Sequence, residues 1–272
     1  MLLQERDGSV LVLTLNRPEV HNAISVDLAE AIAAAVEAAG DDESVNVVVI
    51  RGSGKAFSAG YDVAAGNYGT RSLDDNIERL HGLSNRWARV LLSPLPVIAQ
   101  VHGYCLAGGT DLAGHCDLVL VADDATIGFP AVRSMGVALT QMWIYNVGPQ
   151  WAKRLLLTGD SMTGRMAAEI GFALQSVPAA ELERETMRLA QHMALVARDM
   201  LVANKRVINH GLDLMGREAL QAFAAREDAM AHQSPAAQDF AERARSEGLK
   251  AALRHRDGPF GSELLDVGPE TP

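Results

Sequence analysis

Residues 95–124, LPVIAQVHGYCLAGGTDLAGHCDLVLVADD, contain two apolar runs on either side of a turn of small residues. The runs 96–101 and 117–122 have the length and composition of buried strands. Ala107, Gly108 and Gly109 form the turn, and a short helix is expected to begin at Gly109. A strand, a glycine turn, a helix and a second strand in this order predict an α/β fold.

The same turn has the features of an active site. Glycines let the backbone approach a ligand closely, and the first N–H groups of a helix are free to donate. Such donors can stabilise an oxyanion, and Asp111, two residues past the second glycine, is placed to act as an acid or a base. The alternative is that Asp111 only caps its own helix.

The rest of the chain continues the alternation of strands and helices. Val10–Leu15 and residues 45–51 predict strands, and Ser25 predicts the N-cap of a helix over 26–39. From residue 148 onward the spacing is mostly helical, in segments 149–157, 163–170, 179–197, 199–208, 216–232 and one that starts after Ser234. We predict a sheet-bearing core in 1–195, a helical region in 196–260 that packs on another subunit, and a loose tail in 261–272.

A second glycine-rich segment, VVIRGSGKAFSAGYD, occupies residues 48–62. Lys55 does not follow the spacing of a phosphate-binding P-loop, and Ala56 stands where a GxSxG elbow around Ser58 needs a glycine. We expect a strand, a loop and a helix that starts near Tyr61. If this loop meets the turn at residue 108, the two could present two backbone donors to one carbonyl oxygen.

Bulk composition excludes several classes of protein. The 272 residues are 48% hydrophobic and 21% charged, which is typical of one soluble globular domain. We see no membrane-spanning run and no signal peptide, so we expect a cytoplasmic protein without membrane partners. The net charge of −10 argues against nucleic-acid binding. Cys105 and Cys116 lack the spacing of metal ligands and are read as small buried thiols.

Several ordered motifs together resemble one known family. They are LNRPEVHNA (15–23), AFSAGYD (56–62), PVIAQVHGYCLAGGTDLAGHCDLVLVADDATIG (96–128) and LLLTGDSMTGRMAAEIGFALQSVP (155–178). The chain resembles the enoyl-CoA hydratase/isomerase, or crotonase, superfamily over roughly residues 8 to 260. The resemblance implies a ClpP/crotonase-type spiral of ββα units with a C-terminal helical trimerisation region. It also implies a homotrimer or a hexamer.

The resemblance further implies an acyl-CoA thioester substrate, with coenzyme A as part of the substrate and no bound cofactor or metal. The N–H groups of Tyr61 and Gly108 would form an oxyanion hole for a thioester enolate. Asn22, Ala23, Ser58 and Ala59 would line the CoA path. The remaining substrate contacts would come from Asp62, Gly109 and Trp143.

The acid–base residues depart from the family pattern. Family hydratases use two glutamates, and the first corresponds here to Asp111. The second would follow Pro130, where this chain has Ala131, which cannot move a proton. Residues 135–143 also differ from the glycine-rich segment usual in hydratases. We expect an enoyl-CoA hydratase/isomerase-type enzyme with Asp111 as its acid or base; a same-fold hydrolase or isomerase, or an inactive CoA-ester binding subunit, are the alternatives.

Other polar and aromatic residues have both a functional and a structural interpretation. His115 is expected to pack or form a hydrogen bond between the strands, and Asp117 to make a structural hydrogen bond. Arg133 is expected either to pair with substrate or with Asp111, or to lie in solvent. Trp143 and Tyr145 are expected either to line the acyl pocket or to belong to the core. Lys250, Arg254 and Arg256 are expected either to contact the CoA phosphates or to form a solvated helix face.

Overall fold

The computed structural model describes residues 1–63 and 72–267. The strands in this part of the chain are β1 (Leu2–Asp7), β2 (Val10–Leu15), β3 (Val47–Gly52), β4 (Ala56–Ser58), β5 (Val97–Val101), β6 (Tyr104–Leu106), β7 (Leu118–Ala122), β8 (Thr126–Gly128), β9 (Ser161–Thr163) and β10 (Gln175–Val177). The helices are α1 (Val26–Asp41), α2 (Leu73–Leu91), α3 (Gly108–His115), α4 (Met142–Thr158), α5 (Gly164–Glu169), α6 (Leu182–Ala194), α7 (Arg198–Leu214), α8 (Arg217–Ala231), α9 (Pro235–Ser246) and α10 (Leu249–Asp257).

The strands form two sheets whose layout repeats one unit. The larger sheet has the order β1-β2-β3-β5-β7-β10, and only the β1–β2 pair in it is antiparallel. The smaller sheet has the order β4-β6-β8-β9. Each of β3, β5 and β7 is followed along the chain by a short strand of the smaller sheet and then by a helix. This is the ββα spiral that the resemblance implies.

The long strands are apolar runs because both faces of the larger sheet are covered. All residues of β2 and β5 are buried, as expected for parallel strands between layers of helices. Ser25 accepts the N–H of Leu28 and caps α1, as the sequence predicts, and Ser234 caps α9 in the same way through Ala237. These caps mark helix starts that the sequence alone locates correctly.

The structure corrects two expectations. Tyr61 itself is not helical, because it forms a β-bridge with Ile24; a helix start just beyond it would fall in residues 64–71, outside the described residues, and α2 starts at Leu73 under a Ser72 cap. The first part of the tail is not loose either, because Leu265 exchanges two backbone hydrogen bonds with Ser161 and Thr163 of β9. Residues 268–272 of that tail, and residues 64–71, lie outside the described residues.

No helix in the described ranges is long and apolar enough to cross a membrane. Helices α7 to α10 follow the sheets in sequence. Lys205 of α7 reaches back to the carbonyl of Leu95 and, at 2.7 Å, to the carboxylate of Asp117. Helix α8 packs along α2, so both come to lie beside α3. This packing brings C-terminal side chains close to the predicted active site.

Candidate active site

Buried polar side chains join the loop at residues 22–23 to the loop at 58–62. Asn22 is fully buried, and its amide nitrogen donates to the carbonyls of Ser53 and Ala56 at 2.9 and 2.7 Å. The Ser58 hydroxyl donates to the Asn22 carbonyl and accepts the N–H of Gly60. Arg17 adds an ion pair with Asp62 at 3.0 Å. These bonds fix the backbone that leads into Tyr61.

The N–H groups of Tyr61 and Gly108 are both available to a ligand. Neither donates to any atom of residues 1–63 or 72–267. The two segments meet closely, since a Cβ placed on Gly60 would lie 2.8 Å from the Leu106 carbonyl oxygen and 3.2 Å from the Gly108 nitrogen. Gly60 also has φ +103°, a value that L side chains rarely adopt. The condition that the sequence leaves open, that the two loops meet, is therefore fulfilled in the structure.

A glycine is needed at position 108 because an aromatic ring packs against it. A Cβ at this position would lie 2.8 Å from three ring atoms of Tyr61. The ring therefore lies directly against the start of α3. Gly109 is equally confined, because its Cβ would lie 2.8 Å from the Ser58 carbonyl oxygen. Any larger residue at either position would push the two loops apart.

Asp111 lies one turn into α3 and is 1% exposed. Its Oδ2 accepts the phenolic O–H of Tyr61 at 2.9 Å, and its Oδ1 accepts the Thr140 hydroxyl at 2.7 Å. The Tyr61 oxygen in turn accepts the indole N–H of Trp87 at 2.9 Å. No side-chain cap bond to the start of α3 is made, so the capping interpretation of Asp111 is wrong.

Burial changes the ionisation of these groups. It raises the pKa of Asp111 to about 6, against the lowering effect of the bonds from Thr140 and Tyr61. Burial and the nearby Asp111 charge raise the pKa of the Tyr61 phenol well above its ordinary value. Tyr61 therefore stays protonated and donates to Asp111. A carboxyl group that titrates near neutral pH can both take and give a proton.

Helix α3 is anchored by a buried polar chain at its C-terminal end. Arg217 donates to the Gln221 amide oxygen, so the amide nitrogen of Gln221 faces Nε2 of His115 at 3.1 Å. Nδ1 of His115 therefore bears the proton and donates to the Asp111 carbonyl at 2.8 Å. Burial lowers the pKa of His115 to about 4. His115 lies in the helix, not between the strands, and its role is structural.

Two charged candidates also have structural partners. Asp117 accepts the Val97 N–H at 2.7 Å, which is the structural hydrogen bond expected of it. Arg133 pairs with Asp160 and Asp257 and donates to the Thr158 carbonyl, with 9% of its side chain exposed. Arg133 therefore neither pairs with Asp111 nor lies in solvent.

Three of the aromatic and basic candidates have partners other than Asp111. Trp143 is 2% exposed and packs against Phe172 at a ring-centroid distance of 4.6 Å. Tyr145 reaches the Met215 carbonyl at 3.5 Å. Arg256 pairs with Asp257. Trp143 thus takes the core position that the sequence leaves as its alternative.

Ala131 lies in a 3₁₀ turn, Pro130–Arg133, that precedes α4. Its carbonyl accepts the N–H groups of Ser134, Met135 and Gly136, which start the segment leading to Thr140. Sequence reasoning missed the roles of Trp87, Thr140 and Asp228. Thr140 lies in the segment 135–143 that the sequence marks as unusual, but its bond to Asp111 is not visible there, and Trp87 and Asp228 belong to no recognisable motif.

Comparisons with known proteins identify the family of the chain. Residues 5–263 match the profile of the family described as enoyl-CoA hydratase/isomerase. The chain belongs to the enoyl-CoA hydratase/isomerase family. It is an acyl-CoA-processing enzyme of that family. Cys105 and Cys116 are both buried free thiols, and within the described ranges no group of three or more His, Cys, Asp or Glu could hold a metal ion.

Individual members of the enoyl-CoA hydratase/isomerase family show how far the similarity extends. The chain is 32% identical to the 2,3-dehydroadipyl-CoA hydratase of Escherichia coli (strain K12), covering 95% of this chain and 98% of that protein. It superposes on an enoyl-CoA hydratase from Mycobacterium smegmatis with TM-score 0.91 and 33% identity, covering 96% and 94% of the two chains. An enoyl-CoA hydratase/isomerase from Xanthobacter autotrophicus Py2 gives TM-score 0.86 and 32% identity, with coverage of 96% and 98%.

Proposed function

We propose that this enzyme stabilises the enolate of an acyl-CoA thioester between the N–H groups of Tyr61 and Gly108, with Asp111 as acid or base. The observation that supports this most strongly is the meeting of two free backbone donors with a buried carboxyl group one helical turn away. A thioester enolate concentrates its charge on one oxygen, and removing one preorganised donor typically costs a factor on the order of a hundred or more in rate.

The proposed path for coenzyme A runs along the loops that the buried polar bonds hold together. Asn22, Ala23, Ser58, Ala59 and Asp62 belong to this path, and Gly109 adds backbone at the start of α3. The side chains of Asn22 and Ser58 are occupied in joining the loops, so their contribution is to backbone shape. Trp143 is left out because its side chain packs against Phe172 in the hydrophobic core.

The reaction class is open among three outcomes. Ala131 removes the second carboxyl group of the family pattern, so one carboxyl group fits proton shuttling in double-bond isomerisation at least as well as water addition. Thioester hydrolysis in the same site is a third outcome. The relative from Escherichia coli is called a hydratase, which favours water addition as the first reaction to test.

A panel of enoyl-CoA and acyl-CoA esters, analysed by mass spectrometry, separates these reactions. Water addition increases the mass of the ester, isomerisation leaves it unchanged while the double bond moves, and hydrolysis releases free CoA. With crotonyl-CoA, hydration also removes the conjugated enoyl absorbance. Failure of every ester in the panel to react would reject the proposed function.

The second candidate function is a CoA-ester binding subunit without catalysis, which Ala131 motivates. The variant Asp111→Asn separates it from an enzyme, because the amide keeps the shape of the carboxyl group and cannot exchange a proton at neutral pH. Loss of turnover with retained acyl-CoA binding would reject the binding subunit. Binding without turnover in the wild-type protein would support it.

We also propose that the protein is a homotrimer or a hexamer in the cytoplasm. Helix α7 presents one apolar stripe, Met200, Val207 and Leu214, at intervals of seven residues, and their exposed fractions are 49%, 74% and 77%. Phe223 on α8 is 60% exposed as well. Apolar surface of this extent is typical of an interface between subunits.

A further inference from the structure

Helix α8 places a second carboxyl group beside the site. Asp228 is 5% exposed, and its Oδ1 accepts the Val137 N–H at 2.9 Å. Nε2 of His232 lies 3.3 Å from the same oxygen. Its Oδ2 accepts no hydrogen bond within residues 1–63 and 72–267. Burial of Asp228 disfavours the ionised form of its carboxyl group.

His232 is a fixed donor in this cluster. Arg79 donates to Oδ1 of Asn76, which turns the amide nitrogen of Asn76 toward Nδ1 of His232 at 2.8 Å. An amide nitrogen only donates, so Nδ1 accepts and the imidazole proton is on Nε2, facing Asp228. Burial and the charge of Arg79 lower the pKa of His232 to about 4. His232 is therefore neutral at physiological pH and does not compete for the proton of Asp228.

The two carboxyl groups are bound to one short segment. Val137 donates to Asp228 and Thr140 donates to Asp111, and three residues span about 10 Å when fully extended. The charges interact as well: Asp111 raises the pKa of Asp228, and Asp228 raises the pKa of the Tyr61 phenol. Asp228 therefore lies near Asp111 and Tyr61, and one segment, residues 137–140, binds both carboxyl groups.

The environments of the two carboxyl groups differ. Burial, together with the negative charge of Asp111, raises the pKa of Asp228 to about 7, whereas burial raises the pKa of Asp111 to about 6. Asp228 therefore holds its proton more tightly than Asp111 does. Pairs of titratable groups separated in this way are suited to act as base and acid in one reaction.

We propose that Asp228 is the second acid–base carboxyl group of this site, supplied by helix α8 in place of the carboxylate missing at Ala131. The proposal rests on the proposed function. In water addition, Asp111 takes a proton from water as the water oxygen bonds to C3 of the enoyl group, and Asp228 gives its proton to C2. Product release leaves Asp111 protonated and Asp228 ionised, and proton exchange with solvent restores both.

The competing explanation is that Asp228 only anchors residues 135–140 through Val137. The variant Asp228→Asn separates the two explanations, because an amide oxygen still accepts the Val137 N–H but the side chain gives up no proton at neutral pH. Asp228→Ala removes the anchor as well. Asp239→Asn on α9, whose partner is Arg243 on the surface, is the matched control for the loss of one negative charge.

The experiment compares kcat, acyl-CoA affinity, thermal stability and the pH profile of these variants, on the ester that the wild-type enzyme turns over fastest. We expect Asp228→Asn to keep stability and affinity, to lose about 100-fold in kcat, and to lose the alkaline limb near pH 7. Asp239→Asn should behave as the wild type does. Infrared spectra of wild type minus Asp228→Asn should show a carboxyl group that titrates near neutral pH.

Two results would overturn the role of Asp228. One is wild-type kcat and pH profile in Asp228→Asn. The other is a loss of stability and affinity in Asp228→Asn as large as that in Asp228→Ala, which would identify an anchor. A wild-type protein without turnover on any ester would instead reject the proposed function, and the role of Asp228 with it.

Discussion

At the scale of single residues, the Asp111 carboxyl group is balanced between burial and hydrogen bonding. Burial disfavours its ionised form, and the hydroxyl groups of Tyr61 and Thr140 favour it. The result is a pKa of about 6, where a small change in either influence alters the fraction ionised at neutral pH. The donors that contact this carboxyl group are therefore the most sensitive controls of its chemistry.

Tyr61→Phe is predicted to shift the acidic limb of kcat/KM to higher pH. The change removes a donor to the ionised form of Asp111, so ionisation becomes less favourable and its pKa rises. Activity as a base appears only as pH rises through this pKa, so the limb moves upward by about one unit. The measurement is kcat/KM from about pH 5 to about pH 9.

Thr140→Val is the matched variant, since valine has the shape of threonine without the hydroxyl donor. It should shift the same limb in the same direction. Tyr61→Phe also leaves the buried Trp87 N–H without its acceptor, at a cost of about 1–3 kcal/mol in stability that Thr140→Val does not incur. If the acidic limb of kcat/KM stays at the same pH or moves to lower pH in both variants, Asp111 is not the titrating base.

At the scale of elements, the contact between the start of α3 and the Tyr61 ring is what aligns the two backbone donors. Gly108→Ala is predicted to reduce kcat by about 100-fold, because its methyl group would displace the ring and with it the N–H of Tyr61. We expect a loss of about 1–3 kcal/mol in the free energy of unfolding from overpacking.

Gly82→Ala in α2 is the control, since its methyl group would meet only the end of the Arg86 side chain, at 3.4 Å. It should leave activity unchanged and stabilise the helix by up to about 1 kcal/mol. Steady-state kinetics and urea unfolding measure both quantities. If Gly108→Ala keeps wild-type kcat, the proposed position of the oxyanion hole is wrong.

The elements that the sequence predicts are those with strong local signals. The strands around 97–101 and 118–122 are long apolar runs, and α1 has its Ser25 cap. The strands β4, β6 and β8 have three residues each, which is too short for an alternation of apolar and polar residues to be visible in the sequence. Tyr61 does not start a helix because it forms a bridge with Ile24, a long-range pairing that local sequence does not reveal.

The residues of the candidate site also divide into those that the sequence indicates and those that it does not. Asp111 and the glycines at 60 and 108 lie inside motifs, and the convergence of their loops follows from two similar strand–glycine segments. Thr140 lies in the segment that leads into α4, and Asp228 lies on α8. Both reach the site only through tertiary packing. A single sequence holds no marker for such contacts, so the polar surroundings of Asp111 could not be predicted.

At the scale of the whole molecule, the apolar stripe on α7 predicts self-association. Val207→Glu combined with Leu214→Glu should give a smaller particle, because two charges would be buried without partners in the interface. Light scattering coupled to gel filtration measures the mass. Leu157→Glu on α4, where the leucine is 80% exposed, is the control for adding a surface charge. A wild-type monomer would contradict the proposed trimer or hexamer.

The central claim is that the N–H groups of Tyr61 and Gly108 stabilise a thioester enolate, which a carboxyl group of the site protonates at C2. Deuterium uptake from heavy water at C2 of a saturated ester, butyryl-CoA, tests it directly, since this exchange needs only the enolate and the group that exchanges its C2 proton. We predict exchange by the wild-type enzyme, and exchange at least about 100-fold slower in Gly108→Ala at equal butyryl-CoA occupancy. Equal rates in both proteins, or no exchange by a wild-type protein saturated with butyryl-CoA, would contradict the account.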